Sequence, residues 1–513
     1  MGDRVEGGPR YVSGPADSGL GSTVTVKAGD TLESLASTLS VSVKDLLAAN
    51  PQIQGAGKIS PGQEINLPNQ SRAEFSSPLS DDSAPGSSPL AGSVQNLAKS
   101  MAEIRMRQTT ASDLVAKALS AGLSPMQAAK LSSHLNSLPA SQFNQQASLV
   151  QDAMKSGEPE RALKTYLDVA PMQMAHPDRI TPDIERALVM GVGTSRTNAP
   201  AGKAGVMGED AARHAAQALV DMLAGEYKSI SAVLKAAGTG AGPNGSAETE
   251  RALILKAVGA RQDFLANPKW FDTARIKYGV PMHATNEIIH FAEAIRGRDR
   301  DRLIEDSTVQ DLSSSDGDHA LQQRFTSSCA PTAGQILEAE ADPVTALLMH
   351  RERIDSNSTQ GDIAREQAFY LKLEGGKAVA PGQYGGKGVS PQDYPKVLND
   401  MASDVTHRSY GVESVGNSRE ARTQALDEVA GLLQQGIDVP LGLYYNGDTG
   451  HAVIATDVRG EKPQREFLIT NPGSGTTGWL KEGTIEDGNN PFLGSHYGRL
   501  THIYPSVAKP ATD

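Results

Sequence analysis

The chain has 513 residues, too many for one hydrophobic core, and a prior of about 100–200 residues per domain gives roughly three or four units. Apolar residues make up 38% and aromatics 4%, which suits helical modules joined by linkers rather than one large packed body. A balance of 48 basic to 60 acidic residues gives a net charge of −12. That argues against a nucleic-acid partner, whose phosphates call for Lys and Arg clusters, and there is no such cluster. The single cysteine, Cys329, excludes an intramolecular disulfide.

Residues 1–21 are rich in Gly, Ser and Pro and are expected to form a disordered leader. Met1-Gly2-Asp3-Arg4 continues without an apolar stretch, so no Sec signal is expected. Glu6 breaks the pattern that N-myristoylation of Gly2 needs. No run of about 18 apolar residues occurs, so no membrane span is expected. The chain is expected to be made in the cytoplasm and, if exported, to leave by a specialised secretion system.

Residues 22–68 read as strand, helix, helix, strand. Val24 and Val26 alternate in a first strand. Gly29-Asp30 makes a turn, and Asp30 or Thr31 can cap a helix whose apolar residues are Leu32, Leu35, Ala36 and Leu39. Val43, Leu46 and Leu47 mark a second helix ending at Asn50-Pro51, and Pro61-Gly62-Gln63 turns into a closing strand with Ile65 and Leu67 inward. This order closely resembles LysM domains through Val24-x-Val26, Gly29-Asp30-Thr31-Leu32, Leu46, Asn50-Pro51, Ile59 and Pro61-Gly62-Gln63-x-Ile65-x-Leu67-Pro68. The resemblance implies a βααβ module that binds N-acetylglucosamine polymers, peptidoglycan or chitin. Gly29, Asp30 and Thr31 on one loop and Asn50, Pro51 and Ile53 on another would then line the sugar groove.

Residues 69–95 carry Ser76-Ser77-Pro78 and Ser83-Ala84-Pro85-Gly86 and read as a Ser/Pro-rich linker. Residues 96–312 are dominated by Ala, Leu, Gln, Lys and Glu at helical spacing, as in Leu253, Ile254, Ala257 and Val258, and predict an all-α region. Their histidines (His134, His176, His214, His283, His290) lack metal-ligand spacing, and no metal or other cofactor is expected.

From about residue 313 to 507 the texture becomes α+β. Strands are expected at Asp438 to Tyr445, His451 to Val458, Glu466 to Thr470 and 497–504. Cys329 follows the polar stretch Thr326-Ser327-Ser328 and opens a helix that tolerates Pro331 in its first turn. A helix N-terminus stabilises a thiolate and is expected to lower the pKa of Cys329. Gly450-His451 opens one apolar strand, and Asn471-Pro472 ends another. If those strands pair, the Asn471 amide oxygen can orient the imidazole. Asp448 is a second candidate orienter. Asp457 shares the face of His451 by parity but lies roughly 20 Å along the strand at about 3.3 Å per residue, too far to reach. His407, His496 and His502 are weaker candidate bases. Asp342-Pro343 and Asp316-Gly317-Asp318 read as turn or cap residues, and Gly382 to Gly388 lacks the Lys-Ser/Thr of a phosphate loop.

These residues resemble papain-like cysteine peptidases, most closely the C39-like branch, over roughly residues 318–505. The counterparts are Gln323 six residues before Cys329, then His451 and Asn471-Pro472. By that resemblance Cys329, His451 and Asn471 would be catalytic, and Gln323 would join the Cys329 backbone N–H in holding the oxyanion. Ala330 stands where the family usually has Gly, and Asn471 where it usually has Asp. The implied activity is hydrolysis of a peptide or protein amide, in a bacterial effector or toxin aimed by the LysM module. Two alternatives stay open: a deamidase or transglutaminase on the same triad, and a non-catalytic cell-wall-binding protein.

Overall fold

The computed structural model describes residues 23–25, 50, 53, 63–66, 89–191, 207–222, 224–238, 246–266, 276–277, 280–281, 284–306, 321–352, 359–380, 383, 386–445, 449–488 and 498–509. They fall into two compact units, Met1–Ala91 and Gly92–Asp513.

In the first unit β1 (Thr23–Thr25) pairs antiparallel with β2 (Glu64–Asn66), with Val24 opposite Ile65. Ile65 is fully buried, as the alternation requires. Both expected helices, Leu67, Gly29, Asp30, Thr31 and Pro51 lie outside the described residues.

The second unit begins with helices: α1 (Pro89–Ser120), α2 (Pro125–Ser137), α3 (Ala140–Lys155), α4 (Pro159–Ala175) and α5 (Pro182–Met190). α1 starts inside the stretch read as linker. The start of α2 shows why the chain turns there. Ser124 and Gln127 satisfy each other's backbone N–H groups in a capping box, and Pro125 supplies the fixed φ of a first helical residue. Leu114, Leu131, Phe143, Leu163 and Tyr166 form a core among these helices.

Next come α6 (Glu209–Asp221), α7 (Ala224–Ala236), α8 (Ser246–Ala260), α9 (Gln262–Ala266), a short pair β3 (Ile276–Lys277) and β4 (Val280–Pro281), α10 (Ala284–Ile295) and α11 (Arg300–Asp306). The β3–β4 pair is the departure from an all-α middle. The core around α6, α8 and α10 takes in Val344 and Leu347, far along the chain.

The remainder is α12 (Cys329–Ala341), α13 (Pro343–Glu352), α14 (Asp362–Leu373), α15 (Tyr394–Met401), α16 (Ser403–Thr406), β5 (Arg408–Tyr410), β6 (Glu413–Ser414), α17 (Arg419–Leu433), β7 (Val439–Tyr445), β8 (Thr449–Arg459), β9 (Glu466–Asn471), β10 (Thr476–Lys481), α18 (Glu482–Asp487), β11 (Arg499–Ile503) and β12 (Ser506–Ala508). Six strands form one antiparallel sheet in the order β10-β9-β8-β7-β11-β6, and β12 pairs with β5. The apolar run of β8 is buried on both faces. Ala452 and Ile454 join the core of α12 and α15, while Val453 and Ala455 join the core of α17.

Buried polar ties join the helical stretch to the sheet-bearing part. Arg261, between α8 and α9, is 2% exposed. It donates to Glu287 of α10 at 3.1 Å and through both terminal nitrogens to Asp342, the Nη2 bond being 2.9 Å. Asp342 also caps α13, accepting from the Val344 and Thr345 backbone N–H groups at 3.1 and 3.2 Å. Arg161 of α4 reaches Asp457 of β8 at 3.3 Å and the Leu433 carbonyl at 3.2 Å.

Candidate active site

Cys329 is the first residue of α12, with Ser328 as its N-cap. Ser328 spends its hydroxyl on the preceding loop, accepting from the Phe325 N–H and donating to Gln367 Oε1 at 2.9 Å. Fully buried Gln367, on α14, also accepts from the Arg324 N–H at 2.7 Å and donates to Gln335 of α12 at 2.9 Å. One side chain therefore locks the loop that presents the cysteine. Its role was not readable from the sequence, because it lies 38 residues downstream of Cys329 (367 − 329) and carries no motif.

The same loop is fastened to the end of β9. The Gln323 N–H donates to the Pro472 carbonyl at 2.9 Å, and Gln322 Nε2 donates to the Gly473 carbonyl at 3.2 Å. β9 lies beside β8, so this tie brings the tip of α12 to the end of the sheet that carries His451 and Asn471. The backbone N–H groups of Ala452, the residue after His451, of Ala330 and of Cys329 itself lie near enough to the thiol to favour its ionised form.

His451 and Asn471 are 3% and 2% exposed. Asn471 Oδ1 lies 2.6 Å from His451 Nε2 and accepts from the Gly473 N–H at 2.9 Å. A backbone N–H can only donate, so the atom it meets is the amide oxygen, and His451 Nε2 must carry the proton. The basic lone pair is left on Nδ1. Gly473 sits close against both side chains: a Cβ there would lie 3.0 Å from His451 Cε1 and 3.1 Å from Asn471 Oδ1, so either would have to give way slightly.

Burial dominates the electrostatics. It pushes the Cys329 thiol up, against the pull of the three amides, and it takes His451 down to about 4 against the Asn471 hydrogen bond. The sequence led to the expectation of a lowered cysteine pKa; the apolar packing of α12 against β8 and α15 outweighs the helix terminus. At neutral pH the pair rests as thiol and neutral imidazole.

Cys329, Gln323 and His451 line one cavity of about 1260 Å³, with Tyr394, Tyr444 and Tyr504 among the other walls. Gln323 turns its Nε2 toward the Thr326 carbonyl at 3.4 Å, and its Oε1 is buried with no partner among the described residues. Gly386 and Gly388 also border this cavity. The three tyrosines were not singled out from the sequence, because nothing local marks them.

The rival residues are placed elsewhere or outside the description. Asp457 shares no face with His451, because β8 bulges between Ala455 and Asp457 and breaks the parity; Asp457 pairs with Arg161 instead. His407 turns to the helical stretch, meeting the Gly259 carbonyl at 2.7 Å and Asp263 at 3.3 Å. His502 lines the cavity but its Nδ1 meets Thr501 Oγ1 at 3.0 Å. Asp448, His496 and His283 lie outside the described residues. Of the residues expected to line the sugar groove, Asn50 and Ile53 are described; both are buried, and the Ile53 N–H donates to the Asn50 carbonyl at 2.9 Å. Among the described residues no group of three or more His, Cys, Asp or Glu could hold a metal ion, and no helix is long and apolar enough to cross a membrane.

Residues 24–68 match the LysM domain family, so the chain carries a LysM domain there. No solved structure matches the chain.

Proposed function

We propose that the chain is a thiol hydrolase of the Cys-His-Asn kind, papain-like and nearest the C39-like branch, aimed by its LysM domain at N-acetylglucosamine-containing glycan such as peptidoglycan or chitin. The glycan half rests on the family match at residues 24–68. The hydrolase half rests on one observation above all. Asn471 Oδ1 holds both His451 Nε2 and the Gly473 N–H, which leaves Nδ1 as the base in the cavity that Cys329 shares.

With thiol and imidazole both neutral at rest, the proton moves during attack. His451 Nδ1 takes it from Cys329 as the sulfur bonds to a substrate amide carbonyl. The oxyanion forms beside the Cys329 N–H, with the Gln323 amide swinging from its long contact with Thr326 to share it. His451 returns the proton to the leaving amine. Water, activated by the same ring, then releases the acyl group and regenerates the thiol.

The test is to incubate wild type and Cys329→Ala with protein mixtures and with peptidoglycan and to compare products by mass spectrometry. Wild type is expected to leave amide-cleaved or deamidated products that the variant does not. Identical product profiles, together with alkylation of Cys329 no faster than in His451→Ala, would sink the hydrolase reading and leave a glycan-binding protein.

A further inference from the structure

The cleft has a second wall that the proposed mechanism leaves unused. Tyr394 opens α15, Tyr444 lies near the end of β7, and Tyr504 follows β11. The rings of Tyr394 and Tyr504 meet edge to face at 4.6 Å, Tyr504 stacks on His502 at 6.3 Å, and His502 meets Tyr444 at 5.5 Å. All four rings line the cavity of Cys329.

Sheet register ties this wall to the thiol. The Ala452 backbone N–H acts on the thiol, and Ala452 pairs with Gly442 of β7. A Cβ on Gly442 would lie 3.3 Å from the Tyr504 hydroxyl, so that phenol stands against β7, about one strand spacing, some 4.8 Å, from β8. Gly442 keeps the floor between them open.

Tyr394 is 2% exposed, and its hydroxyl has no hydrogen-bond partner among the described residues. A buried hydroxyl left this way costs stability unless a ligand satisfies it. Burial first, then Tyr504 and Cys329, hold this phenol far above its ordinary value, so it stays a donor. The ionisable groups acting most on it are Tyr504, Cys329, Tyr410 and Tyr444, while Lys387, Arg422 and Arg499 stand elsewhere on the cavity wall. A neutral carbonyl oxygen accepts from such a donor without bringing a charge that must shed its water. Flat aromatic walls suit a planar group.

We propose that this phenol-walled end of the cleft anchors the substrate, the Tyr394 hydroxyl donating a hydrogen bond to the carbonyl oxygen of a neutral carboxamide. The inference rests on the hydrolase reading of the same cleft and names the chemistry of what enters it.

Two thiol reagents test it on the full-length chain. Iodoacetamide carries a carboxamide; the sulfur displaces iodide as an S–C bond forms. Methyl methanethiosulfonate carries none; the sulfur forms an S–S bond and methanesulfinate leaves. Tyr394→Phe keeps the ring and deletes the donor. It is expected to slow iodoacetamide about tenfold and leave the methanethiosulfonate rate unchanged, the size expected for one hydrogen bond. Its melting temperature is expected to hold or rise, since the hydroxyl has no protein partner. Equal slowing of both reagents, slowing of neither, or a drop in melting temperature would overturn the proposal. His451→Ala separates the two readings: wild type no faster than this variant with either reagent breaks the hydrolase reading, while a wild-type advantage without reagent discrimination at Tyr394 breaks only the carboxamide pocket.

Discussion

His451 is neutral at rest because the fold refuses its proton, and this has a measurable cost in acid. Burial holds its pKa at about 4 against an ordinary 6.5. Between those values the unfolded chain binds a proton that the folded chain does not. Stability from this group is therefore complete above pH 6.5 and is lost as pH falls toward 4, by about 3 kcal/mol at most. Thermal melting from pH 4 to 7 is expected to show this slope in wild type and a shallower one in His451→Gln. If the site hydrolyses amides, the acid limb of its rate profile is expected near pH 4 rather than near 6.5. Gly473→Ala probes the neighbouring contact, where a Cβ would press on His451 Cε1 at 3.0 Å. It is expected to lower turnover about tenfold or more, as misplaced catalytic groups do, while the melting temperature changes little. A large melting loss with turnover intact would refute that. At this scale the sequence was informative where chemistry is local. Cys329 before Pro331, His451 opening an apolar run and Asn471 closing one were all visible. Gln367, Tyr394 and the bulge near Thr456 were not, because each acquires its part only through partners distant in the chain.

Among the elements, β7, β8 and β9 were legible as apolar runs, and they fall at Val439–Tyr445, Thr449–Arg459 and Glu466–Asn471. β10, half-buried along most of its length, and the two-residue β6 lack such a run and escaped notice. Insertion of β11 between β7 and β6 is a long-range choice that no local pattern encodes. The helical stretch was legible by period, but its internal polar contacts were not. Glu185 of α5 is fully buried, and Gln146 of α3 donates to both its oxygens at 3.0 and 2.8 Å. Burial raises Glu185 to about 7, partly offset by that bond. The folded chain keeps this proton between pH 4.5 and 7, where the unfolded chain has released it. The contribution is whole below 4.5 and declines as pH rises through 7. Glu185→Gln is expected to melt higher than wild type at pH 8, by about 1–3 kcal/mol, and near wild type at pH 5. A variant that melts lower at pH 8 would show that the ionised carboxylate is the favoured form.

For the molecule as a whole, the LysM domain occupies residues 24–68 and the thiol lies in the other unit. Full-length Cys329→Ala is therefore expected to sediment with insoluble peptidoglycan or chitin as wild type does, and soluble N-acetylglucosamine oligomers are expected to release both equally. Sedimentation that depends on Cys329 would contradict that division. The buried guanidinium of Arg261 makes the second unit harder to divide. It pairs with Glu287 and Asp342 at once, and a carboxylate abandoned inside a protein costs several kcal/mol. Cutting the gene between residues 306 and 321 would leave each product with half of an ionic lock. Either piece expressed alone should come out insoluble, while both expressed together should find each other and purify as a noncovalent pair.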